Sequence, residues 1–226
     1  MRLIAIITLL AASVPAPASG AQSTRTIDQG SFTITENGQR IGREDFTISA
    51  APRGASTEYI ATATVTYGDR RLSPELRTDS GGVAVSYRVE AREADAAPER
   101  WQGTIVRGRV SARIQTPRGQ SAREYIVADG AIVLDDDVFH QYYFVARADG
   151  PLTVMLPRRN TQIRVQISRT GREPVRVGGQ EIQATHLVLT EPGGSTREVW
   201  VDAEGRVLKV AIPSRNIVAT RDDPPA

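Results

Sequence analysis

Hydrophobic and polar residues alternate along most of the chain beyond its N-terminal segment. Val83, Val85 and Tyr87, for example, are separated by single small or polar residues. Because successive side chains of a β-strand point to opposite faces, this pattern predicts strands with one buried face and one wet face. By the same criterion, about a dozen segments of the chain are strands.

Short turns separate these predicted strands. Asn37-Gly38, Asp129-Gly130 and Glu204-Gly205 are pairs that favour the tight reversal of a β-hairpin. Connections this short favour antiparallel neighbours, since parallel strands need a longer crossover. The pattern therefore predicts an all-β fold, with one large antiparallel curved sheet or an open or half barrel.

One segment near the middle of the chain breaks the alternation. Val138, Tyr142 and Val145 recur at helical spacing, and Gly150-Pro151 follows them as a stop signal. This spacing predicts one short amphipathic helix over about residues 137–147. We expect a single β-rich domain over residues 22–226, interrupted by this helix and ending in a charged, proline-rich tail that frays over residues 221–226.

The N-terminus has the three-part pattern of a secretory signal peptide. Arg2 precedes an apolar run from Leu3 to Val14, and small residues follow up to Ala21. The run is shorter than the roughly 20 residues that cross a bilayer as a helix. We therefore predict a cleaved signal peptide over residues 1–21, a periplasmic or secreted protein, and no stable membrane insertion after cleavage.

Composition and charge narrow the chemistry. The chain has no cysteine, which excludes thiol catalysis and thiolate metal sites. Its formal net charge is +2 and Lys209 is its sole lysine, while its arginines are spread along the chain instead of forming a phosphate-binding stripe. We expect no nucleic-acid partner. The sequence also lacks the serine-hydrolase elbow, the phosphate loop and the dinucleotide fingerprint, so we assign no cofactor and no catalytic residue.

Histidine offers the strongest catalytic hypothesis that remains. His140 follows the acidic run Asp135–Asp137, and His186 lies on a later predicted strand. One alternative is therefore a hydrolase that uses His140 with these aspartates, directly or through a metal. The spacing matches no established zinc site, and an acidic run also suits the N-terminal end of a helix, so we predict no metal ligand.

Aromatic residues are 5% of the chain, and five of them gather in two places: Phe139, Tyr142, Tyr143 and Phe144 in the helical segment, and Trp200 on a late strand. Tyrosine and tryptophan suit the mouth of an apolar cavity, although they also supply ordinary core packing. We predict that the aromatic residues of the helical segment, His140 and one late tryptophan form a ligand site. The predicted ligand-binding residues are Phe139, His140, Tyr142, Tyr143 and Trp200.

Three segments carry a resemblance to a known group of proteins. They are the opening hairpin with Phe32, Gly38, Ile41 and Gly42, the middle segment LDDDVFHQYYFVAR, and the closing hairpin VWVDAEGRVLKVAI with Trp200, Asp202, Gly205, Arg206, Leu208 and Lys209. Together they resemble exported bacterial β-sheet proteins of unknown function, which are distantly similar to the half-barrels of periplasmic lipoprotein carriers. The resemblance implies a curved antiparallel sheet with a helix over a lipid-accepting concave face.

These observations lead to one preferred function and two alternatives. We expect an exported, non-enzymatic protein that binds or carries a lipid or another apolar small molecule. The alternatives are the hydrolase based on His140 and an envelope assembly or scaffold protein that pairs an exposed edge strand with a partner.

Overall fold

The computed structural model describes residues 24–148 and 150–226, and these residues form one sheet of fifteen strands. The predicted signal peptide, residues 1–21, lies outside the described residues. The strands are β1 Arg25–Glu36, β2 Gln39–Arg53, β3 Ser56–Tyr67, β4 Arg70–Thr78, β5 Ala84–Arg92, β6 Glu99–Val106, β7 Arg109–Thr116, β8 Gly119–Ile126, β9 Ile132–Val133, β10 Leu152–Leu156, β11 Thr161–Val177, β12 Gln180–Thr190, β13 Thr196–Val201, β14 Val207–Ile212 and β15 Ile217–Arg221.

Almost every strand pairs with its neighbour in sequence. The order runs from β8 back to β1, then to β15 and down to β9, so β1 and β15 join the two halves. All pairs are antiparallel except β9 and β10. The predicted all-β fold with a large antiparallel, unclosed sheet is confirmed. Within the described residues, no helix is long and apolar enough to cross a membrane.

The sheet curls without closing. Its β9 end turns back to the start of β5, where the Ala84 N–H donates to the Ala131 carbonyl at 3.3 Å. Strands β6 to β8, from Glu99 to Ile126, extend past this seam, and we call them the flap. Two contacts hold this end of the flap: the Gln162 side chain bonds the backbone of Ile126 and Ala128 at 3.1 and 3.2 Å, and the Tyr125 hydroxyl donates to the Met155 sulfur at 3.7 Å.

The interior of the curved sheet is filled by one segment, Leu134–Ala146, which we call the plug. It contains a helix, α1, that spans four residues, Tyr142–Val145, and all four are buried. The short mid-chain helix is therefore present but shorter than the predicted 137–147, because Asp137 adopts a positive φ of 65° that interrupts a helix. The sheet surrounds the plug, so α1 has no exposed polar face.

The C-terminal tail corrects the prediction of a frayed end. Arg221 is buried in β15 and its guanidinium donates to Asp28 at 2.8 Å. The Asp222 carboxylate accepts hydrogen bonds from the hydroxyls of Ser31 and Thr33, both at 2.7 Å. Charge and proline content suggested disorder, but these acids and arginines have specific partners on β1.

Candidate functional site

The plug aromatics do not line a cavity. Phe139, His140, Tyr142 and Tyr143 are each exposed by 2% or less. Rings of the sheet pack against them: Phe46 stacks on His140 at 5.9 Å, and Tyr59 meets Tyr143 edge to face at 6.5 Å. These four predicted ligand-binding residues therefore occupy the interior themselves.

A buried carboxylate on the sheet holds the plug in place. Glu44, on β2, has no exposed surface and accepts the backbone N–H of Phe139 at 2.6 Å and that of His140 at 2.8 Å. The imidazole Nδ1 of His140 lies 2.6 Å from the same carboxylate, while its Nε2 has no hydrogen-bond partner. A substrate does not reach this imidazole, because the residue is 1% exposed.

The acidic run is paired with arginines. Asp135 accepts from the Tyr87 hydroxyl at 2.6 Å and from Arg158 at 2.8 Å. Arg159 forms an ion pair with Asp136, and Arg215 donates to Asp137 at 2.6 Å.

These pairings separate the run from His140. Burial raises the pKa of Asp135, and Arg158 opposes that shift. Burial and Asp135 also raise the pKa of Tyr87 well above its ordinary value, which keeps the phenol protonated as a donor. Residues 24–148 and 150–226 contain no group of three His, Asp or Glu side chains placed to hold a metal ion. The partners found for His140 and the three aspartates are Glu44, Tyr87 and arginines, and these contacts give no support to the hydrolytic or metal site of the alternative hypothesis.

Trp200 lies on the other side of the sheet. Its neighbours Val199 and Val201 belong to the interior core, whereas Trp200 packs with Val175 and Leu208 in a smaller outer cluster.

Polar and aromatic groups surround this tryptophan on the outer face. His186 stacks on the indole at 4.4 Å, and the Lys209 ammonium lies 4.2 Å from the ring centre on the next strand. The indole N–H donates to Glu173. The structure thus brings the four plug residues together and places the fifth predicted residue elsewhere.

An open cleft lies where the plug does not reach. Its volume is about 380 Å³, within the range of roughly 300–1,000 Å³ typical of small-molecule sites. One wall is the inward face of the flap and of β5, and the other is the 3₁₀ turn Pro157–Arg159 that follows β10. Its lining residues are Val89, Ala91, Glu99, Arg100, Trp101, Ile114, Gln115, Thr116, Arg123, Pro157, Arg158 and Asn160.

Strand register builds the apolar floor of this cleft. Val89 faces Trp101 on β6, and Trp101 faces Ile114 on β7, so the three side chains form one row on the inward face. The indole lies across Gly103, where a β-carbon would overlap the ring. Trp101 also contacts Tyr87 at 5.7 Å between ring centres, which links the floor to the core.

Basic side chains line the same cleft. Arg158 is neutralised by Asp135, and Arg100 forms an ion pair with Glu90. Arg123 lies opposite Ala112 on the inward face of β8, and among the described residues its guanidinium has no hydrogen bond or ion pair. Glu99, at the first position of β6, is the one acid in the lining. The cleft therefore combines an apolar floor with an unneutralised guanidinium.

Other clefts in the described structure lie on the outer face. One of about 440 Å³ is lined by Thr62, Glu75 and Arg88, which occupy one cross-strand row. Its charges neutralise each other, since Arg88 is ion-paired with Glu75. The flap cleft differs from this groove in joining the inward row of Val89, Trp101 and Ile114 to an unpaired guanidinium, which makes it the candidate functional site.

Sequence reasoning missed both Glu44 and the flap cleft. Glu44 alternates with Phe46 and Ile48, so a charge at an inward position was the available signal for a buried anchor. Trp101 gave the corresponding signal for the cleft, because the alternation places it on the buried face of β6. The other residues that line the cleft come from β5, β7 and β8 and from a turn beyond the plug. The curvature of the sheet brings them together.

Comparison with known proteins supports the fold. A solved structure described as a beta-barrel-like protein of domain of unknown function DUF1849 from Brucella abortus matches with a TM-score of 0.51 and 6% identity, over 89% of this chain and 98% of that chain. At this identity the likeness shows the fold alone. None of the curated proteins matches the chain. The family model for domain of unknown function DUF6134 matches residues 107–221, just over half of the 226 residues, and the chain therefore belongs to the DUF6134 family.

Proposed function

We propose that the flap cleft binds a small amphiphile that has an apolar chain and an anionic head. The observation that carries this proposal is the position of Arg123, an unpaired guanidinium on the same inward face as the apolar row of Val89, Trp101 and Ile114. The function expected from the sequence is kept, and its site moves from the plug to the flap.

The apolar row supplies the binding energy in this proposal. Each Å² of apolar surface removed from water contributes about 25 cal/mol, so covering the apolar floor of the cleft stabilises a complex by about 1–2 kcal/mol. Trp101 is a rigid aromatic that loses little side-chain entropy on binding. A flexible acyl chain fits an open cleft of this kind better than a rigid polar ligand does.

The guanidinium supplies the preference for a head group. An unpaired arginine beside an apolar surface, where the effective dielectric constant is lower than in water, favours a carboxylate or phosphate oxygen. Arg158 and Arg100 already have carboxylate partners, so Arg123 is the residue to which we assign this recognition. Glu99 repels an anion at the far end of the cleft and favours one orientation of the ligand.

A tryptophan titration tests the proposal. The chain beginning at Gln22 carries two tryptophans, one in the cleft and one on the outer face. In a Trp200→Phe variant, adding dodecanoate is expected to shift the emission of Trp101. In the matched Trp101→Phe variant, the emission of Trp200 is expected to stay constant.

A second pair of variants separates site binding from unspecific adsorption. Arg123→Gln is expected to weaken dodecanoate binding by about 10-fold, because one charge-assisted contact is lost. Arg113→Gln, on the outer face of the adjacent strand, should bind like the wild type. Equal binding by both variants, or no emission change at any dodecanoate concentration below its micellar range, would reject the proposed function.

The proposal includes export and a carrier role without catalysis. Cleavage after Ala21 would release the domain into the periplasm or the medium. N-terminal sequencing of the protein recovered from the periplasmic or culture fraction checks this directly: the expected first residue is Gln22. A chain that stays in the cytoplasm with Met1 or Arg2 at its start would contradict the proposed location.

A further inference from the structure

Two exposed hydrophobic side chains lie in one cross-strand row at one end of the flap. Within residues 24–148 and 150–226, Val106 and Ile126 are the large hydrophobic residues that are exposed, at 64% and 73%. Val106 faces Arg109 across β6 and β7, and Arg109 faces Ile126 across β7 and β8. The three side chains therefore form one row on the outer face. We call this row, with the turn at Arg107, the tip.

The tip belongs to a basic part of the chain. Residues 99–126 contain six arginines and two glutamates, a net charge of +4, whereas the whole chain has a net charge of +2. The remaining residues therefore have a net charge of −2. Two further acids lie against the flap: Asp129, whose carboxylate lies beside Gly108 in the turn, and Glu90, which pairs with Arg100, and including both leaves a net charge of +2.

Several of these arginines are available for a partner. Arg107 stands at the turn with a positive φ of 50°, and among the described residues its guanidinium has no ion pair. Arg113 points from the outer face of β7 without an ion pair in the same part of the chain. Arg109 forms a fully exposed pair with Glu124 at 3.4 Å, a contact that contributes little and exchanges readily.

We propose that the tip docks on the surface of an anionic lipid bilayer. Two exposed aliphatic side chains flanked by arginines provide both components of interfacial binding: apolar contact with the acyl boundary, and attraction to lipid phosphates. A single exposed aliphatic residue is normal on a protein surface, but here two flank Arg109 in one row of the basic segment. The β6–β7 turn presents them at an end of the flap, where a planar surface can reach them.

The docking is peripheral and independent of ligand binding in the cleft. The cleft row of Trp101 and Ile114 lies toward the β7–β8 turn, whereas Val106 and Ile126 lie at the opposite ends of β6 and β8. A chain that binds no amphiphile in its cleft can still dock, and a chain that fails to dock can still bind one.

Sedimentation with lipid vesicles tests the docking. The chain beginning at Gln22 is mixed with vesicles of equal parts phosphatidylglycerol and phosphatidylcholine, or with phosphatidylcholine alone. We expect binding to the anionic vesicles that weakens as salt rises, and much weaker binding to phosphatidylcholine. The double variant Val106→Ser/Ile126→Ser should bind the anionic vesicles about 10-fold more weakly.

Two matched pairs of arginine variants test which arginines contribute the electrostatic attraction to the anionic vesicles. Arg107→Gln/Arg113→Gln should lose about 5-fold in affinity for each arginine removed. Arg40→Gln/Arg172→Gln, which removes two exposed arginines outside the flap, should bind close to the wild type. All four altered positions are exposed, so unchanged circular dichroism and urea midpoints confirm that each variant is folded.

Three outcomes would overturn the docking proposal. They are absence of binding to anionic vesicles, equal binding by wild type and by Val106→Ser/Ile126→Ser, and equal losses in both arginine pairs. A dimer in light scattering that Val106→Ser/Ile126→Ser dissociates, without vesicle binding by the wild type, would assign the tip to a second copy of the chain instead.

Discussion

The plug and the flap represent two ways of using the inner face of the same sheet. Around the plug, the chain fills the interior with its own aromatics, and each aspartate of the acidic run has an arginine partner. Along the flap, Val110 and Ala112 join the buried core, but the Trp101 end of the inward face meets the 3₁₀ turn across a cleft of about 380 Å³. The plug is therefore a filled interior, whereas the flap borders an open cleft.

The largest expected effect is the loss of folding stability when a buried side chain of the plug is removed. Phe144 is 1% exposed and packs edge to face on Tyr59. Phe144→Ala should lower the free energy of unfolding by about 3–5 kcal/mol, because it leaves a cavity inside the sheet. Urea denaturation measures this loss. The flap counterpart Ile114→Ala, at a half-buried position, should lose only about 1 kcal/mol, and equal losses would remove the contrast between the two regions.

The second effect concerns the anchor of the plug. Glu44→Gln replaces a carboxylate that accepts three hydrogen bonds, and the amide can keep only part of them. We expect a loss of about 2–4 kcal/mol in the free energy of unfolding, since buried groups are left unsatisfied. Glu36→Gln, at an exposed position on β1, is the control and should be neutral. A neutral Glu44→Gln would show that the plug does not depend on this carboxylate.

The third effect is a pH dependence of folding stability that arises from Asp222, a residue outside the flap. Burial alone would raise the pKa of Asp222, but hydrogen bonds from Ser31 and Thr33 and the charge of Arg43 leave that pKa below its ordinary value of 3.8. A lowered carboxyl pKa stabilises the folded state above the ordinary value, and this contribution is lost as pH falls through the folded pKa.

Denaturation measured at a series of acidic pH values tests the direction of this pH dependence. Asp222→Asn should be less stable than the wild type at neutral pH and should lose less stability as pH falls below about 4. Glu124→Gln, in the exposed ion pair of the flap, should follow the wild-type profile because exposed pairs contribute little. Parallel profiles for wild type and Asp222→Asn would contradict the assignment.

The smallest change in stability is expected at Arg123, in the proposed binding cleft. Arg123 has an exposed side chain with no ion pair in the described part of the chain, so Arg123→Gln should change the free energy of unfolding by no more than about 0.5 kcal/mol. The same substitution is expected to weaken dodecanoate binding about 10-fold. A variant that loses stability and binding together would make Arg123 a structural residue of the flap.

The architecture could be predicted because alternation is a local property. Each strand carries its own period of two, and pairs such as Asn37-Gly38 specify tight turns wherever they occur. The predicted helix is longer than the observed one. The apolar residues from Val138 to Val145 have helical spacing, but they are apolar because the whole segment is buried on all sides. Sequence spacing does not distinguish a helix face from a plug that the sheet surrounds.

The site could not be predicted from the sequence, because the residues that contact one another there lie far apart along the chain. Glu44 meets His140 across 96 positions, and nothing local to either residue indicates the pairing. Trp200 was grouped with the plug because it is aromatic, although its parity relative to Val199 and Val201 places it on the outer face. The cleft depends on where the curled sheet stops, which the pattern of individual strands does not encode.

Hydrogen exchange of the chain beginning at Gln22, with and without dodecanoate, distinguishes the flap from the plug as the ligand site, because it reads both regions in one experiment. We predict slower exchange in Glu99–Ile126 and in the turn Pro157–Arg159 when dodecanoate is present, and no change in Leu134–Ala146. Protection of Leu134–Ala146 without protection of Glu99–Ile126 would place the ligand at the plug and contradict the account.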